Sequence, residues 1–185
     1  MSSRIYWLLL ILILAIGVLL RIAPVLDNNF HFTMDQGDDA VNVREILERK
    51  QWPLHGSETA IPNVYSGVLW YYFLAVGYFL TQGSPSAVIY LLIFLTLVAT
   101  VFLSLVTKKR VSPLASLVIA ASLQIFWPFY DISRFGFNPF PLVPLGIITF
   151  LLLEDFWEKP KSQFTWATLI VALSFHTELA GAMGL

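Results

Sequence analysis

The chain has 185 residues, of which 57% are hydrophobic and only 12% are charged, and its mean hydropathy is +0.74. This composition excludes a soluble domain with an ordinary polar surface and predicts an integral membrane protein. A net charge of -1 provides no basic surface for nucleic acid, and the lack of cysteine excludes disulfides, thiolate metal sites and a thiol nucleophile.

The apolar runs predict membrane-spanning helices, because about 20 apolar residues cross about 30 Å of hydrocarbon. Arg21 and Pro24 follow the first run in place of a small-residue cleavage site, which favours a retained span over a signal peptide. We predict an all-α, polytopic transmembrane helix bundle that forms a single membrane domain over 1–185. The last run reaches residue 185 without a polar tail, which indicates the N-terminal part of a longer protein. The predicted spans are 5–23, 87–106, 112–129, 139–154 and 164–185.

The predicted loop 25–86 contains a dense acidic segment, in which Asp35, Asp38 and Asp39 fall within five residues. One acid at a helix start satisfies free backbone amides, but three neighbouring like charges repel one another, so capping explains only part of the pattern. A helix that starts at or before Asp35 would bring Asp35 and Asp39 to one face, where they can share a proton or a hard cation. A later start would leave Asp35 free on the loop. Both arrangements suit a general base.

Two helices are predicted within this loop. In 37–50, apolar residues recur at helical spacing, which predicts an amphipathic helix on the bilayer surface. The segment 64–80 is apolar but rich in Tyr and Trp, which favour the membrane interface, so it either lies flat or spans. If it lies flat, the acidic loop and the loop around Arg134 share the outer face. If it spans, the acidic loop is cytoplasmic, and the distribution of Lys and Arg favours this second topology.

Two later features carry polar groups next to apolar runs. Asn138 and Pro139 predict a helix start, with Asn138 as the N-cap and Pro139 as the first helical residue. With Arg134 four residues upstream, this start either simply opens a span or binds an anion such as a phosphate. His176 is predicted well inside the last span and is expected to face a cavity or a neighbouring helix.

In their order along the chain, these features resemble the N-terminal half of the integral-membrane GT-C glycosyltransferases of family 39, which includes protein O-mannosyltransferases and aminoarabinose-type transferases. The resemblance covers the whole chain and implies a GT-C-like bundle with juxtamembrane helices at 37–50 and 64–80. The similar segments are Asp35-Gln-Gly-Asp-Asp-Ala40, Trp52-Pro-Leu-x-Gly56, Tyr65-Ser-Gly-Val-Leu-Trp-Tyr-Tyr72, Ser133-Arg134 with Asn138-Pro139, and the later His176.

The resemblance implies a multi-pass protein of a prokaryotic plasma (inner) membrane, with its active-site loop facing outside. It implies the transfer of a sugar, with inversion, from a polyprenyl-phosphate donor to a hydroxyl of a lipid, glycan or protein acceptor. Asp35 would be the base that deprotonates the acceptor. Asp38 and Asp39 would orient that base or bind the acceptor. A divalent cation, if one is used, would lie at Asp35 and Asp39.

The same resemblance assigns the donor side of the reaction. Arg134 and the helix start at Asn138 would bind the leaving phosphate, and His176 would line the carrier cavity. The chain departs from the family at 66–68, where members often carry Lys or His and a Pro, and at Asn138, where aminoarabinose-type enzymes have an aspartate. Because the family completes its cavity with later spans, the 185 residues alone are expected to be inactive.

The alternative interpretation is a non-catalytic membrane protein. Such a protein would bind or flip a carrier lipid, or serve as a structural subunit, and its acids would only cap a surface helix.

Overall fold

The computed structural model describes residues 1–27, 29–59, 61–137, 139–154 and 160–177. Across these ranges the regular structure is helical, with two isolated β-bridges and no strand, which confirms the predicted all-α class. The described helices are α1 (Ser3–Leu26), α2 (Met34–Arg49), α3 (Leu69–Leu80), α4 (Ala87–Arg110), α5 (Pro113–Ile125), α6 (Trp127–Asp131), α7 (Leu142–Glu154) and α8 (Pro160–Ser174).

Helices α1 and α4 are long and apolar enough to cross a membrane. Each has 24 residues, and such a helix is about 36 Å long at 1.5 Å per residue. Local signals fix their ends. The Ser2 hydroxyl accepts a hydrogen bond from the amide of Ile5 at the start of α1, and the basic residues 108–110 complement the dipole in the last turn of α4. The apolar helices α3, α5 and α7 are shorter.

Helices α1 and α4 run antiparallel to each other. Val25, near the end of α1, packs against Ile89 and Ile93 near the start of α4. At the opposite end, the Lys108 ammonium lies 3.9 Å from the ring centroid of Tyr6. The chain therefore leaves α1 and enters α4 at the same end, which we call the loop end. The intervening segment, including the 12-residue α3, returns to the loop end and does not carry the chain to the other end.

Helix α5 runs parallel to α1 and also finishes at the loop end. The hydroxyls of Tyr6 and Ser116 are 2.9 Å apart near the starts of the two helices. Near their ends, Arg21 of α1 donates to the Oε1 atom of Gln124 in α5, at 2.9 Å. Helix α7 packs between α4 and α8.

Helix α3 covers the apolar face of α2. Val43 and Ile46 of α2 are buried in one cluster with Trp70 and Leu74 of α3. The apolar face of α2 therefore packs on α3, and the placement of the two helices at the bilayer surface stays a prediction. Helix α3 exposes other apolar side chains, such as Phe79, which is 72% exposed.

Proline interrupts two of the predicted spans. The predicted span 112–129 forms two helices, because Phe126 is extended (φ -66°, ψ 111°) and Pro128 has no amide hydrogen to continue the helical pattern. Helix α7 begins at Leu142, since Pro141 disfavours helical geometry in the residue before it. The predicted N-cap, Asn138, lies outside the described residues.

Helix α8 ends at Ser174, so His176 lies in the turn after it and not inside a long helix as predicted. The Ser174 hydroxyl donates to the carbonyl oxygen of Ile170 at 2.8 Å, and the Thr177 hydroxyl donates to the carbonyl oxygen of Ser174 at 2.9 Å. Such bonds compete with the helical backbone pattern. The rest of the predicted last span, from residue 178 onward, lies outside the described residues.

Gly17 is the point of close approach between α1 and α5. A Cβ atom at this position would overlap the Gln124 side chain, which the guanidinium of Arg21 holds in place. We predict that Gly17→Ala lowers the free energy of unfolding by about 1–3 kcal/mol, the usual cost of overpacking. Thermal unfolding in detergent micelles, followed by circular dichroism, measures this loss.

The matched control is Gly37→Ala in α2, where an added Cβ meets no atom within 4 Å. Alanine favours a helix over glycine, so this variant should keep or raise the melting temperature. An equal loss in both variants would contradict the described packing of α1 on α5.

Candidate functional site

The acidic segment forms the first turns of α2. The helix begins at Met34 because Gln36 closes its end: the amide of Thr33 donates to Gln36 Oε1 at 2.6 Å. Of the two arrangements that the sequence left open, the structure therefore has the early start. Asp35 and Asp39 lie one helical turn apart on the same side of α2.

The three acids differ in exposure. Asp35 and Asp38 are exposed, whereas Asp39 is only 9% exposed because α3 covers it. The Oδ2 atom of Asp39 accepts a hydrogen bond from the indole N–H of Trp70 at 2.8 Å. Burial raises the pKa of Asp39 to about 6; the hydrogen bond from Trp70 opposes the rise, and the charges of Asp35 and Asp38 add to it. Asp39 is therefore a carboxyl group that exchanges its proton near neutral pH.

Trp70 also forms part of the wall of an apolar cavity of about 150 Å³. One indole thus contacts a carboxyl group through its N–H and borders an apolar space. His176 lies at this cavity, and its Nδ1 atom accepts a long hydrogen bond, 3.5 Å, from the amide of Leu69. The cavity is lined by Leu69, Trp70, Phe73, Leu95, Pro141, Leu145, Leu173, His176 and Thr177.

His176 packs directly against Gly67. A side chain at position 67 would overlap the imidazole ring. The segment 66–68 is one of the places where the chain departs from the glycosyltransferase pattern. The structure accounts for the glycine there, since no larger residue leaves room for His176 in this position.

The loop around Arg134 lies against the start of α2. The Nη2 atom of Arg134 donates to the carbonyl oxygen of Asn29 at 3.4 Å. A Cβ atom on Gly136 would lie 2.9 Å from the Nε2 atom of Gln36, which shows how closely the two segments approach. Arg134 and Asp35 are therefore both at the loop end.

Arg134 keeps unused hydrogen-bonding capacity within the described part of the chain. Its Nε atom is buried and has no hydrogen-bond partner there. Its Cζ atom lies 5.3 Å from the ring centroid of Tyr130. No carboxylate oxygen of the described residues is within 4.0 Å of its nitrogens. The guanidinium is therefore able to take an external anion.

The sequence analysis missed Arg21 as a site residue, although a charged residue inside an apolar run is a signal of function. Arg21 is only 1% exposed. Its Nε donates to the Ser133 hydroxyl at 2.8 Å, and its Nη1 donates to the carbonyl oxygen of Gly17 and to Gln124 Oε1, both at 2.9 Å. Its Nη2 donates to the carbonyl oxygen of Leu123 at 3.4 Å. Each of these acceptors is neutral.

The structure thus brings most of the predicted site residues to the loop end. These are Asp35, Asp38, Asp39, Arg134 and His176, whereas Asn138 is outside the described residues. Among the residues that are described, no group of three or more His, Asp or Glu side chains is arranged to hold a metal ion, so the cation at Asp35 and Asp39 stays a prediction. No protein-family model, curated protein or solved structure matches the chain.

We predict that Asp39→Asn stabilises the protein at neutral pH. The folded-state pKa of Asp39, about 6, is above its ordinary value of 3.8, so the folded protein binds this proton more tightly than the unfolded chain does. Stability is therefore lost as the pH rises through the window from 3.8 to about 6. The variant should be more stable at pH 7 by roughly 1–3 kcal/mol, since one pKa unit corresponds to about 1.4 kcal/mol.

Thermal unfolding between pH 4 and pH 8 measures this effect as the difference between variant and wild type. Glu48→Gln, at an exposed acid at the far end of α2, is the control and should change the curve little. If the advantage of Asp39→Asn does not grow as the pH rises from 4 to 7, Asp39 is not the buried carboxyl group described above.

Proposed function

We propose that the chain is a membrane glycosyltransferase that moves a sugar, with inversion, from a polyprenyl-phosphate carrier to an acceptor hydroxyl. One observation carries this proposal: carboxylates, a guanidinium with unused donors and an apolar cavity meet at one end of the molecule. Such a reaction needs these three elements together, as a base for the acceptor, a cation for the phosphate and an apolar space for the lipid.

The proposal includes a multi-pass arrangement in a prokaryotic plasma (inner) membrane, with the loop end outside. The lengths and compositions of α1 and α4 support two spans, and α5, α7 and α8 would complete a GT-C-like bundle beside them. The flat interpretation of 64–80 is supported by α3, whose 12 residues extend only about 18 Å. The return of the chain to the loop end before α4 is consistent with this interpretation.

Asp35 is the base in this proposal. It is exposed, so an acceptor can reach it, and it lies in the first turn of α2. It takes the proton of the acceptor hydroxyl while the hydroxyl oxygen attacks the anomeric carbon of the sugar. Asp38, also exposed, binds the acceptor. Asp39 is held by Trp70 and keeps the start of α2 fixed against α3.

The donor occupies the other side of the site. Arg134 binds the phosphate through its unused N–H groups and stabilises the charge that builds up as the phosphate leaves. The apolar cavity receives the beginning of the carrier chain, and His176 marks its edge. Asn138, which lies outside the described residues, keeps its proposed role of binding the phosphate.

The alternative, a non-catalytic membrane protein, explains the acids as helix caps. In the structure, Thr33 and Gln36 already close the start of α2. Asp39 holds α2 against α3 through Trp70, but the exposed Asp35 and Asp38 add repulsion beyond a completed cap, which favours the catalytic interpretation.

The sidedness of the loop end can be tested because the chain has no cysteine. Met34, beside Asp35, is 80% exposed and is a suitable position for a single cysteine. We expect a membrane-impermeant maleimide to label Met34→Cys on intact cells. Val111→Cys, at the opposite end and 72% exposed, is the control and should react only after permeabilisation. The reverse pattern would put the acids in the cytoplasm and overturn the proposal.

The proposed base predicts a large kinetic effect for Asp35→Asn. Removal of a general base should lower sugar transfer by about 10² to 10⁴. The assay uses membranes from the native host with the chromosomal gene altered, and polyprenyl-phosphate-linked arabinose, mannose and glucose as donors. The variant should reach normal abundance in the membrane.

Glu48→Gln is the control, because this acid lies at the far end of α2 in an exposed pair with Arg44, where it should contribute little. Near wild-type transfer by Asp35→Asn would remove Asp35 from the role of base. Absence of transfer in wild-type membranes with all three donors would favour the non-catalytic alternative.

A further inference from the structure

The positive charge of Arg21 has no counter-ion in the described part of the chain. Arginine stays protonated in proteins, and its acceptors here are neutral oxygens. The ion pairs of the described residues, Arg44 with Glu48 and Arg49 with Glu45, lie on the exposed side of α2. A buried, unpaired cation is costly and calls for a compensating negative charge nearby.

Arg21 and Arg134 lie on the same aromatic ring. Their Cζ atoms are 5.5 Å and 5.3 Å, respectively, from the ring centroid of Tyr130. The Ser133 hydroxyl, which accepts a hydrogen bond from Arg21, belongs to the residue just before Arg134. Asp131 is in the same turn, but its carboxylate is not within 4.0 Å of either guanidinium. The charges of Arg21 and Arg134 therefore both lie at the turn 130–134, and neither is paired with a carboxylate of the described residues.

We propose that Arg21 is a second cation of the phosphate site, which adapts the site to a phosphomonoester dianion in preference to a phosphodiester monoanion. This inference rests on the proposed function and adds the charge state of the bound phosphate. Arg21 does not contact the phosphate. It positions the turn by its hydrogen bond to Ser133, and its charge adds to the positive potential at Arg134.

The proposed reaction increases the negative charge of the phosphate. The donor is a phosphodiester with one negative charge. When the bond between the sugar carbon and the phosphate oxygen breaks, its electron pair stays on the oxygen, so the carrier leaves as a monoester with a second negative charge. The acceptor hydroxyl loses its proton to Asp35. Two nearby cations stabilise the dianion more than the monoanion, and thus favour the charge that develops in the transition state.

The test compares the binding of two probes to the purified chain in detergent micelles at pH 8 by isothermal titration calorimetry. Geranyl phosphate is a dianion at this pH, since the second pKa of a phosphomonoester is about 6. Geranyl methyl phosphate is the matched monoanion. We expect the wild-type chain to bind the monoester more tightly than the diester.

The decisive variant is Gln124→Glu. It puts a carboxylate where the amide oxygen now accepts from Arg21, at 2.9 Å, so it neutralises the charge while the shape of the contact is kept. The preference for the monoester should fall about ten-fold, because the neutralised charge shares the Tyr130 ring with Arg134 and acts at an intermediate effective dielectric constant. The variant loses the bond that Gln124 Nε2 donates to the carbonyl oxygen of Ala120 at 3.1 Å, while the buried cation gains a counter-ion. A retained cooperative unfolding transition separates this result from unfolding.

Gln82→Glu is the control, because it makes the same chemical change at an exposed position outside the Arg21 network and should keep the wild-type preference. If Gln124→Glu also keeps that preference, Arg21 is only structural, and this inference is overturned while the proposed function stands. A wild-type chain that binds neither probe overturns the phosphate role of Arg134 and this inference together.

Discussion

The need to satisfy one buried guanidinium organises the loop end. Arg21 sits in an apolar helix, where each unmatched N–H group would be costly, and its acceptors come from α1, α5 and the turn after α6. This requirement explains why Gly17 has no side chain and why a glutamine occurs in the apolar helix α5. It also fixes where the chain turns before Arg134. The placement of that turn against α2 therefore follows from a single charged residue far upstream.

The second organising contact joins the polar and the apolar parts of the site. Trp70 contributes its N–H to Asp39 and its ring to the cavity wall, so one rigid side chain lies between the acidic segment and an apolar space. The proposed transfer from a lipid-linked donor would take place at such a boundary. Because α3 provides this side chain, the packing of α3 on α2 is as important to the proposed site as the acids themselves.

The sequence was informative where one local property decides the structure. Long apolar runs predicted the positions of α1 and α4, and the acidic segment was recognised before its geometry was known. The sequence was less informative where contacts with neighbouring helices decide the structure. Asp38 and Asp39 are adjacent and chemically identical, and only the cover of α3 buries one of them. The break at Phe126 and the end of α8 at Ser174 depend on proline and hydroxyl side chains that compete with helical hydrogen bonds. The apolar pattern alone hides such competition.

The contact between Gly67 and His176 has a consequence for how this protein can vary. The two residues divide one small volume between segments that are far apart in the chain, and the glycine leaves nearly all of it to the imidazole. A Cβ atom at position 67 would also lie 2.6 Å from the Cα atom of His176, so any related chain with a side chain there must shift the turn after α8 as well. Position 67 should therefore change in evolution only together with the path of the turn after α8.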